Sequence, residues 1–529
     1  MPNSSAAADV KSQPYVSSSL TALLLAVGLV LLRLVYMGRV DLLPEEAYYW
    51  NYAKHLDWAY LDHPPLVGWL IYLGTAVFGD GEFGVRAFAL ISSLITSIFA
   101  YLTATLFYGR RAGAMAALLV QILPFFFATG FIMTPDASLT ACWAGALYFL
   151  SRVIFTNSAR AWLGVGVCIG LGLLSKYTIA LLGPAALLFA LLDPPSRVWL
   201  RRGAPYGAAL LAAAIFSPVV IWNAQHDWAS FAFQTTGRIA TPAKFSLHQL
   251  AGALVVLLTP LGVAVAAKLL FIRNAQPPQI GATPRQNPAR VQLFARVFTL
   301  TPLAVFAIFS LWHSVKLNWT GPLMLGIVPL LAAHLCGMEC KPSVLLRRIW
   351  TATFALLAVG AIALLYHLAA GIPRVGYLAK MELMPVGWSE MGRSLSPMMD
   401  DLRRITPGKT LMVGMDRNFI ASEAAFYQTN QTQSVRDTTG AHLFGSVSLM
   451  YEFWFPAKEQ DDATLLLVSF EEKSLASRRI RKHCEKLGPI TESWIIRGGV
   501  KIRPYYTRIA YHYHSIPHPL PPRGPRALP

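Results

Sequence analysis

The sequence predicts a polytopic α-helical membrane protein that ends in a soluble α/β domain, and three observations predict it. The 529 residues are 55% hydrophobic and only 14% charged, with a mean hydropathy of +0.46. A soluble chain of this length divides into several domains with polar surfaces, and this one is too apolar for that. Apolar stretches close to the roughly 20 residues that cross a bilayer recur about eleven times. Lys and Arg collect in alternate short loops between those stretches, as membrane orientation demands. The same counts exclude other classes. Gly 38 and Pro 35 follow no period, and five Cys form no paired spacing, so collagen, disordered and disulfide-stapled chains are ruled out.

In order, the spans are expected at 18–37, 84–108, 112–131, 137–155, 159–175, 177–192, 204–222, 248–271, 297–313, 318–336 and 349–370. Lys11 precedes the first, and no small-residue cleavage site follows it, so it reads as a retained anchor. With the N-terminus in the cytoplasm, Arg110, Arg111, Arg152, Arg160, Arg197, Arg201, Arg202, Arg273, Arg285, Arg290, Arg296, Lys341, Arg347 and Arg348 all fall inside. Four segments then lie outside: the loop 38–83, the turn Met133 to Asp136, the loop Trp222 to Leu247, and everything after Gly371. The net charge of +18 thus follows from membrane orientation and does not mark a nucleic-acid surface. The expected division is a membrane domain at 1–370, a soluble α/β domain at 371–515 and a Pro-rich tail at 516–529. Within the soluble part, Thr410 to Met415 and Thr464 to Phe470 read as buried strands, and Asn418 to Tyr427 and Ser474 to Lys486 as helices.

Carboxylates locate the chemistry. Of the 27 acidic residues, fifteen lie in the soluble tail and twelve in residues 1–370, and seven of those twelve fall between 41 and 82. Acid concentrated at one outer surface suits general-base or metal-binding work, and a solvated loop is the plain alternative. The loop also carries Tyr48, Tyr49, Trp50, Tyr52, Trp58, Tyr60 and Trp69, an aromatic density typical of the membrane interface, and Pro64-Pro65 stiffens the backbone after Asp62-His63. Asp136 opens a span after Thr134-Pro135, either as a helix N-terminal carboxylate or facing the acidic loop. Arg86, Lys176, Arg238, Lys244 and Lys316 are cations on the acidic side of the membrane, where lipid headgroups or one specific phosphate would account for them. The segment WNAQHDWASFAFQTTGR reads as an amphipathic interfacial helix. His512, His514 and His518 lie in or beside a Pro-rich tail that gives a metal no rigid geometry, and no P-loop, dinucleotide fingerprint or nucleophile elbow is present.

These residues resemble a family. The stretch LLPEEAYYWNYAKHLDWAYLDHPPLVGWLIYLGTAVFGDGEFGVR is similar to the first outer loop of the polyprenyl-phosphate-sugar-dependent glycosyltransferases, the superfamily of protein O-mannosyltransferases and lipid A aminoarabinose transferase. The likeness continues through TPD at 134–136, LSKYT at 174–178, WNAQHDWASFAFQ at 222–234 and KLNWTGP at 316–322, then SEAAFY at 422–427 and YEFW at 451–454. The resemblance implies a GT-C fold and an inverting transfer of a sugar from an undecaprenyl-phosphate-type carrier to an acceptor on the periplasmic face of the bacterial inner membrane. The expected acceptor is lipid A, lipopolysaccharide or another surface glycan. Glu45-Glu46 occupies the family's acidic pair, usually Asp-Glu, and Asp62 the carboxylate before Pro-Pro. His63 replaces a Lys, so a fixed cation is missing there.

In this class the phosphate already makes a good leaving group. The protein must then supply a base, or a carboxylate that orients the acceptor, and cations or a divalent metal for the phosphate. Glu45, Glu46 and Asp136 are the expected catalytic group. Asp62 and His63 are expected to contact a metal or the acceptor, and Arg86, Lys176, Tyr177, Arg238, Lys316 and Asn318 to bind substrate, the cations holding the carrier phosphate. Three rivals stand: protein O-glycosylation, transport of a lipid-linked sugar, and a non-catalytic scaffold whose soluble tail is the binding module. A transporter places ionisable groups near the bilayer midplane, and no Asp or Glu lies in the middle of any expected span.

Overall fold

The computed structural model describes residues 19–239, 242–272, 286–337, 344–371 and 385–516. The described chain begins with α1 (Ser19–Tyr36), continues in a connecting segment of two helices, α2 (Pro44–Lys54) and α3 (Leu66–Phe78), and returns through α4 (Glu82–Tyr108). A loop was expected between α1 and α4, but the aromatic-rich PEEAYYWNYAK buries nearly every side chain and folds as a helix with Pro44 at its first position. Small residues set how α3 meets α4. A Cβ on Gly84 would lie 2.1 Å from the Gly79 carbonyl oxygen, and one on Gly74 2.3 Å from that of Gly84, so only glycine permits this contact.

The expected span at 112–131 is two helices, α5 (Arg110–Ile122) and α6 (Pro124–Thr129), because Pro124 cannot continue the first. After α7 (Pro135–Thr156) come the shorter α8 (Ala161–Ser175) and α9 (Leu182–Leu192), then α10 (Gly203–Gln225), α11 (Ala229–Gln234) and α12 (Thr236–Ile239). The expected single interfacial helix is therefore the end of α10 and two short pieces, separated at Asp227 and Trp228, whose φ angles are 52° and 58°. In α13 (Leu247–Phe271) Thr259, at φ 70° before Pro260, bends the helix by 100°. α14 (Pro288–Phe309) is straight enough to span, whereas 318–336 breaks into 3-10 turns before α15 (Val328–Leu335), and α16 (Val344–Ala370) ends the membrane part. Six described helices are long and apolar enough to cross a bilayer, or seven with the bent pair counted as one span. The chain is a multi-pass membrane protein. One buried cation inside it escaped the sequence reading: Arg33 of α1 bonds the Gln121 side chain and the carbonyls of Gln121 and Phe127, which makes it tolerable there.

Beyond α16 lies a sheet unit. α17 (Trp388–Ile405) leads to β1 (Thr410–Gly414), α18 (Phe419–Tyr427), α19 (Gln431–Asp437), β2 (Thr438–Gly440), β3 (Thr464–Ser469), β4 (Cys484–Arg497) and β5 (Val500–Tyr513). The strand order is β2-β1-β3-β5-β4. β1 runs parallel to β2 and β3, with Leu411 opposite Leu465, and β5 runs antiparallel to β3 and β4. The two expected strands are continuous apolar runs because both faces are covered. The expected helix at 474–486 is corrected: helix ends at His483, and Cys484 starts a hairpin strand. The Pro-rich tail and His518 lie outside the described residues.

One hydrophobic core joins this unit to the α2–α3 segment. Leu411, Val413, Leu465 and Leu467 of the sheet pack with Tyr48, Trp50, Tyr52 and Tyr60. Trp50 meets Phe426 edge-on at 5.1 Å, and Trp454 stacks on His55 at 4.4 Å.

Candidate active site

The residues after α1 and those opening α4 form a buried clamp. Glu46, at the third position of α2, accepts from the Leu43 backbone N–H at 3.0 Å, from Arg86 Nε at 2.9 Å and Nη2 at 2.6 Å, and from the Met133 N–H at 2.9 Å. Arg86 gives its remaining donors to the carbonyls of Met37, Val40 and Asp41. Both side chains are fully buried. Arg86 was expected to hold a carrier phosphate and Glu46 to serve in catalysis. Instead each occupies the other, and the pair fastens α2 to α4 and to the turn before α7.

That fastening places Glu45. Its carboxylate lies on the accessible side of α2, flanked by protein, where burial raises its pKa. Its own backbone N–H and the charge of Lys316 pull it down, and Glu46 pushes it up. Three residues beyond Met133, Asp136 opens α7 and accepts from Lys176 Nζ at 2.8 Å and Asn318 Nδ2 at 2.6 Å. The segment Lys316–Asn318 thus connects the two carboxylates, with Lys316 acting on Glu45 and Asn318 bonded to Asp136. Tyr177 sits beside this cluster, its hydroxyl 3.1 Å from Ser230 Oγ. Arg238 belongs to α12, and its side chain is outside the described residues.

Asp62 is in a different setting. Its Oδ1 accepts from Tyr48 at 2.9 Å and Tyr52 at 2.6 Å, and burial raises its pKa against the pull of those hydroxyls and of Arg417. The His63 ring stands edge-on to Tyr49, 5.6 Å away. Both phenols occupy one oxygen of Asp62, and among the described residues no group of three His, Cys, Asp or Glu gathers around it and His63. Trp222, in the segment expected as an interfacial helix, is buried with its Nε1 on Asp57 Oδ2 at 2.7 Å.

Sequence reasoning missed what the sheet unit contributes. Tyr427 accepts from the Leu42 N–H at 2.7 Å and donates to Glu82 at 3.1 Å, and the Met450 N–H reaches the Tyr48 hydroxyl at 3.2 Å. Glu423 of α18 is fully buried and neither carboxyl oxygen has a hydrogen-bond partner. Burial raises its pKa well above the ordinary value, and Asp41 and Glu46 raise it further against the pull of Arg86. Since the folded pKa is the higher one, stability is lost as pH rises through it. Glu423→Met is therefore expected to stabilise the protein at neutral pH by about 1–3 kcal/mol, the cost of an unsatisfied buried polar group. The gain should shrink on acidification, as melting curves at both pH values would show.

Comparisons with known proteins agree with this architecture. Residues 62–222 match the family model described as dolichyl-phosphate-mannose-protein mannosyltransferase. Lipid A galacturonosyltransferase RgtD of Rhizobium johnstonii is 26% identical over 210 residues, 39% of this chain and 44% of that protein. An undecaprenyl phosphate-alpha-4-amino-4-deoxy-L-arabinose arabinosyl transferase of Pseudomonas fluorescens is 32% identical over 211 residues, 35% of each chain. The chain thus spans less than half the length of these curated relatives. ArnT from Cupriavidus metallidurans bound to undecaprenyl phosphate superposes with a TM-score of 0.60 at 16% identity, over 92% of this chain and 97% of that one. The fold and the matched segment define a GT-C-type polytopic membrane protein with an appended sheet domain. Within that class the matched segment, residues 62–222, is similar to the dolichyl-phosphate-mannose-protein mannosyltransferase family.

Proposed function

We propose that this protein is an inverting glycosyltransferase that moves a sugar from an undecaprenyl-phosphate-type carrier to lipid A, lipopolysaccharide or another surface glycan. The observation that carries the proposal is the pairing of an accessible carboxylate, Glu45, with the Asp136–Lys176–Asn318 network through the Lys316–Asn318 segment. In the transfer, an acceptor oxygen bonds to the anomeric carbon while the bond from that carbon to the phosphate oxygen breaks. Glu45 takes the acceptor proton, or orients an acceptor that is already anionic. Lys176 and Lys316, with Arg238 on α12, neutralise the phosphate that leaves on the carrier. Asp136 and Asn318 hold Lys176 in place, and Tyr177 lines the same side. The sheet domain and the acidic segment then lie on the periplasmic face of the inner membrane, and the α5–α6 pair, α8, α9 and the broken 317–335 segment bring the crossings to about eleven. Residues 1–370 form the membrane domain and 371–515 the outer one.

Mass spectrometry of lipid A, core oligosaccharide and surface proteins, from cells with and without the gene and with Glu45→Gln, tests this reading. A sugar-sized mass lost from lipid A or core in both the deletion and the variant is expected. Loss from protein instead would make the acceptor a protein hydroxyl. Carrier-linked sugar accumulating with no product lost would mean transport. Lys176→Met is expected to raise the KM for the lipid donor about tenfold or more, since a charge-assisted contact contributes roughly 1.5–3 kcal/mol. An unchanged KM removes Lys176 from the phosphate site.

A further inference from the structure

The β4–β5 hairpin is longer than the sheet needs. Its far end extends past β3, which pairs only with Leu465 to Ser469 opposite Ala510 to Tyr506. The projecting part runs from Ser493 through the Gly498-Gly499 turn, both glycines at positive φ, to Pro504. Its inner face is occupied: Ile495 is buried, and Ile502 packs against the membrane core. The outer face is not. Trp494 is 40% exposed and Ile496 49%, and Val500 beside the turn is 43% exposed.

The position of this end says what covers it. Arg497, the last residue of β4, donates to Asp41 at 3.1 Å and to the Ala369 carbonyl at 3.4 Å. Ala369 lies in the last turn of the span α16, and Asp41 follows α1 by five residues, so the hairpin end stands at the level where two spans leave the membrane. From Ser493 to Pro504 there is no acidic residue, and Arg497, Lys501 and Arg503 are basic. Arg497 is engaged by Asp41, and Arg503 stacks on Phe470 at 3.5 Å. Lys501 is exposed and stands over the Trp494 ring at 4.9 Å, the pose of a lysine that covers an aromatic while its ammonium reaches headgroups. Tryptophan, aliphatic side chains and a basic residue together at this depth are the composition of an interfacial anchor.

We propose that the β4–β5 end inserts Trp494, Ile496 and Val500 into the outer leaflet, with Lys501 on anionic headgroups, as a lipid anchor for the sheet domain. Two constraints then hold that domain over the Glu46–Arg86 clamp: the protein contact at Asp41 and the bilayer itself. The test is depth-dependent quenching in the full chain, reconstituted into nanodiscs of phosphatidylcholine and phosphatidylglycerol. An environment-sensitive fluorophore is attached at Ile496→Cys, with Val500→Cys as a second position and Lys486→Cys as the control. Lys486 lies ten residues back along the same strand, roughly 33 Å away. Labelling of the wild-type chain, whose described cysteines are buried or half-buried, is subtracted. The expected result is quenching by 5-doxyl phospholipid at 496 and 500 at least threefold stronger than at 486, with iodide quenching in the reverse order. Iodide quenching equal at all three positions would overturn the proposal. So would protection from iodide without doxyl quenching, which would mean that another protein covers the face.

Discussion

Replacing Arg86 by Met is expected to destabilise the protein by about 3–5 kcal/mol, the cost of removing one partner from a buried ion pair. Glu46 would keep its position at the third residue of α2, bonded to the Leu43 and Met133 N–H groups, but with its charge uncompensated. The carbonyls of Met37, Val40 and Asp41 would lose their donors at the same time. Thermal unfolding of the detergent-purified protein measures the loss. The double variant Arg86→Met, Glu46→Leu should recover much of it, because an apolar pair of similar volume carries no stranded charge. If Arg86→Met melts like the wild type and only weakens donor binding, the clamp is wrong and the guanidinium serves the phosphate after all.

Glu45→Gln, the second large effect, is expected to lower kcat by about 10²–10⁴-fold, the usual contribution of a positioned general base, while the protein stays folded in the membrane. The substitution leaves the clamp intact, since Glu45 takes no part in it. The pH profile gives an independent reading. A base must be deprotonated, and burial raises the pKa of Glu45. The wild-type rate should therefore fall on acidification through a value above that of an ordinary glutamate. Lys316→Met removes a charge that lowers this pKa, so the acid limb should move to higher pH. A profile that does not move separates Lys316 from Glu45.

The clamp glutamate and the proposed base are adjacent in sequence, and the sequence alone offered no means of separating them. Residues 45 and 46 are both glutamate in an acidic loop. Only the direction of each side chain on α2 sends one into the protein and leaves the other accessible. Arg86 was read as a substrate ligand for a similar reason, because a cation on the acidic side of the membrane requires a partner and the sequence does not name it. Lys176, Asn318 and Asp136 were picked out as separate candidates 40 and 182 residues apart, and the fold puts them in one network.

Local composition determined the membrane class, the acidic segment after the first span, the change of character in the tail and its two buried strands, since apolar length and uninterrupted buried runs are properties of contiguous residues. Single residues decided where the expected spans break: Pro124, and Thr259 before Pro260. The hairpin that turns at Gly498-Gly499 was not found in the sequence, where the basic run before Cys484 was read as helix on to Lys486. Only tertiary structure decided that α18 and the 450–454 turn sit on α2, that Glu423 is buried among carboxylates, and that Asp62 is held by tyrosines. Those facts depend on which distant surfaces share one core, and burial strips water from a charge only after the chain has closed around it.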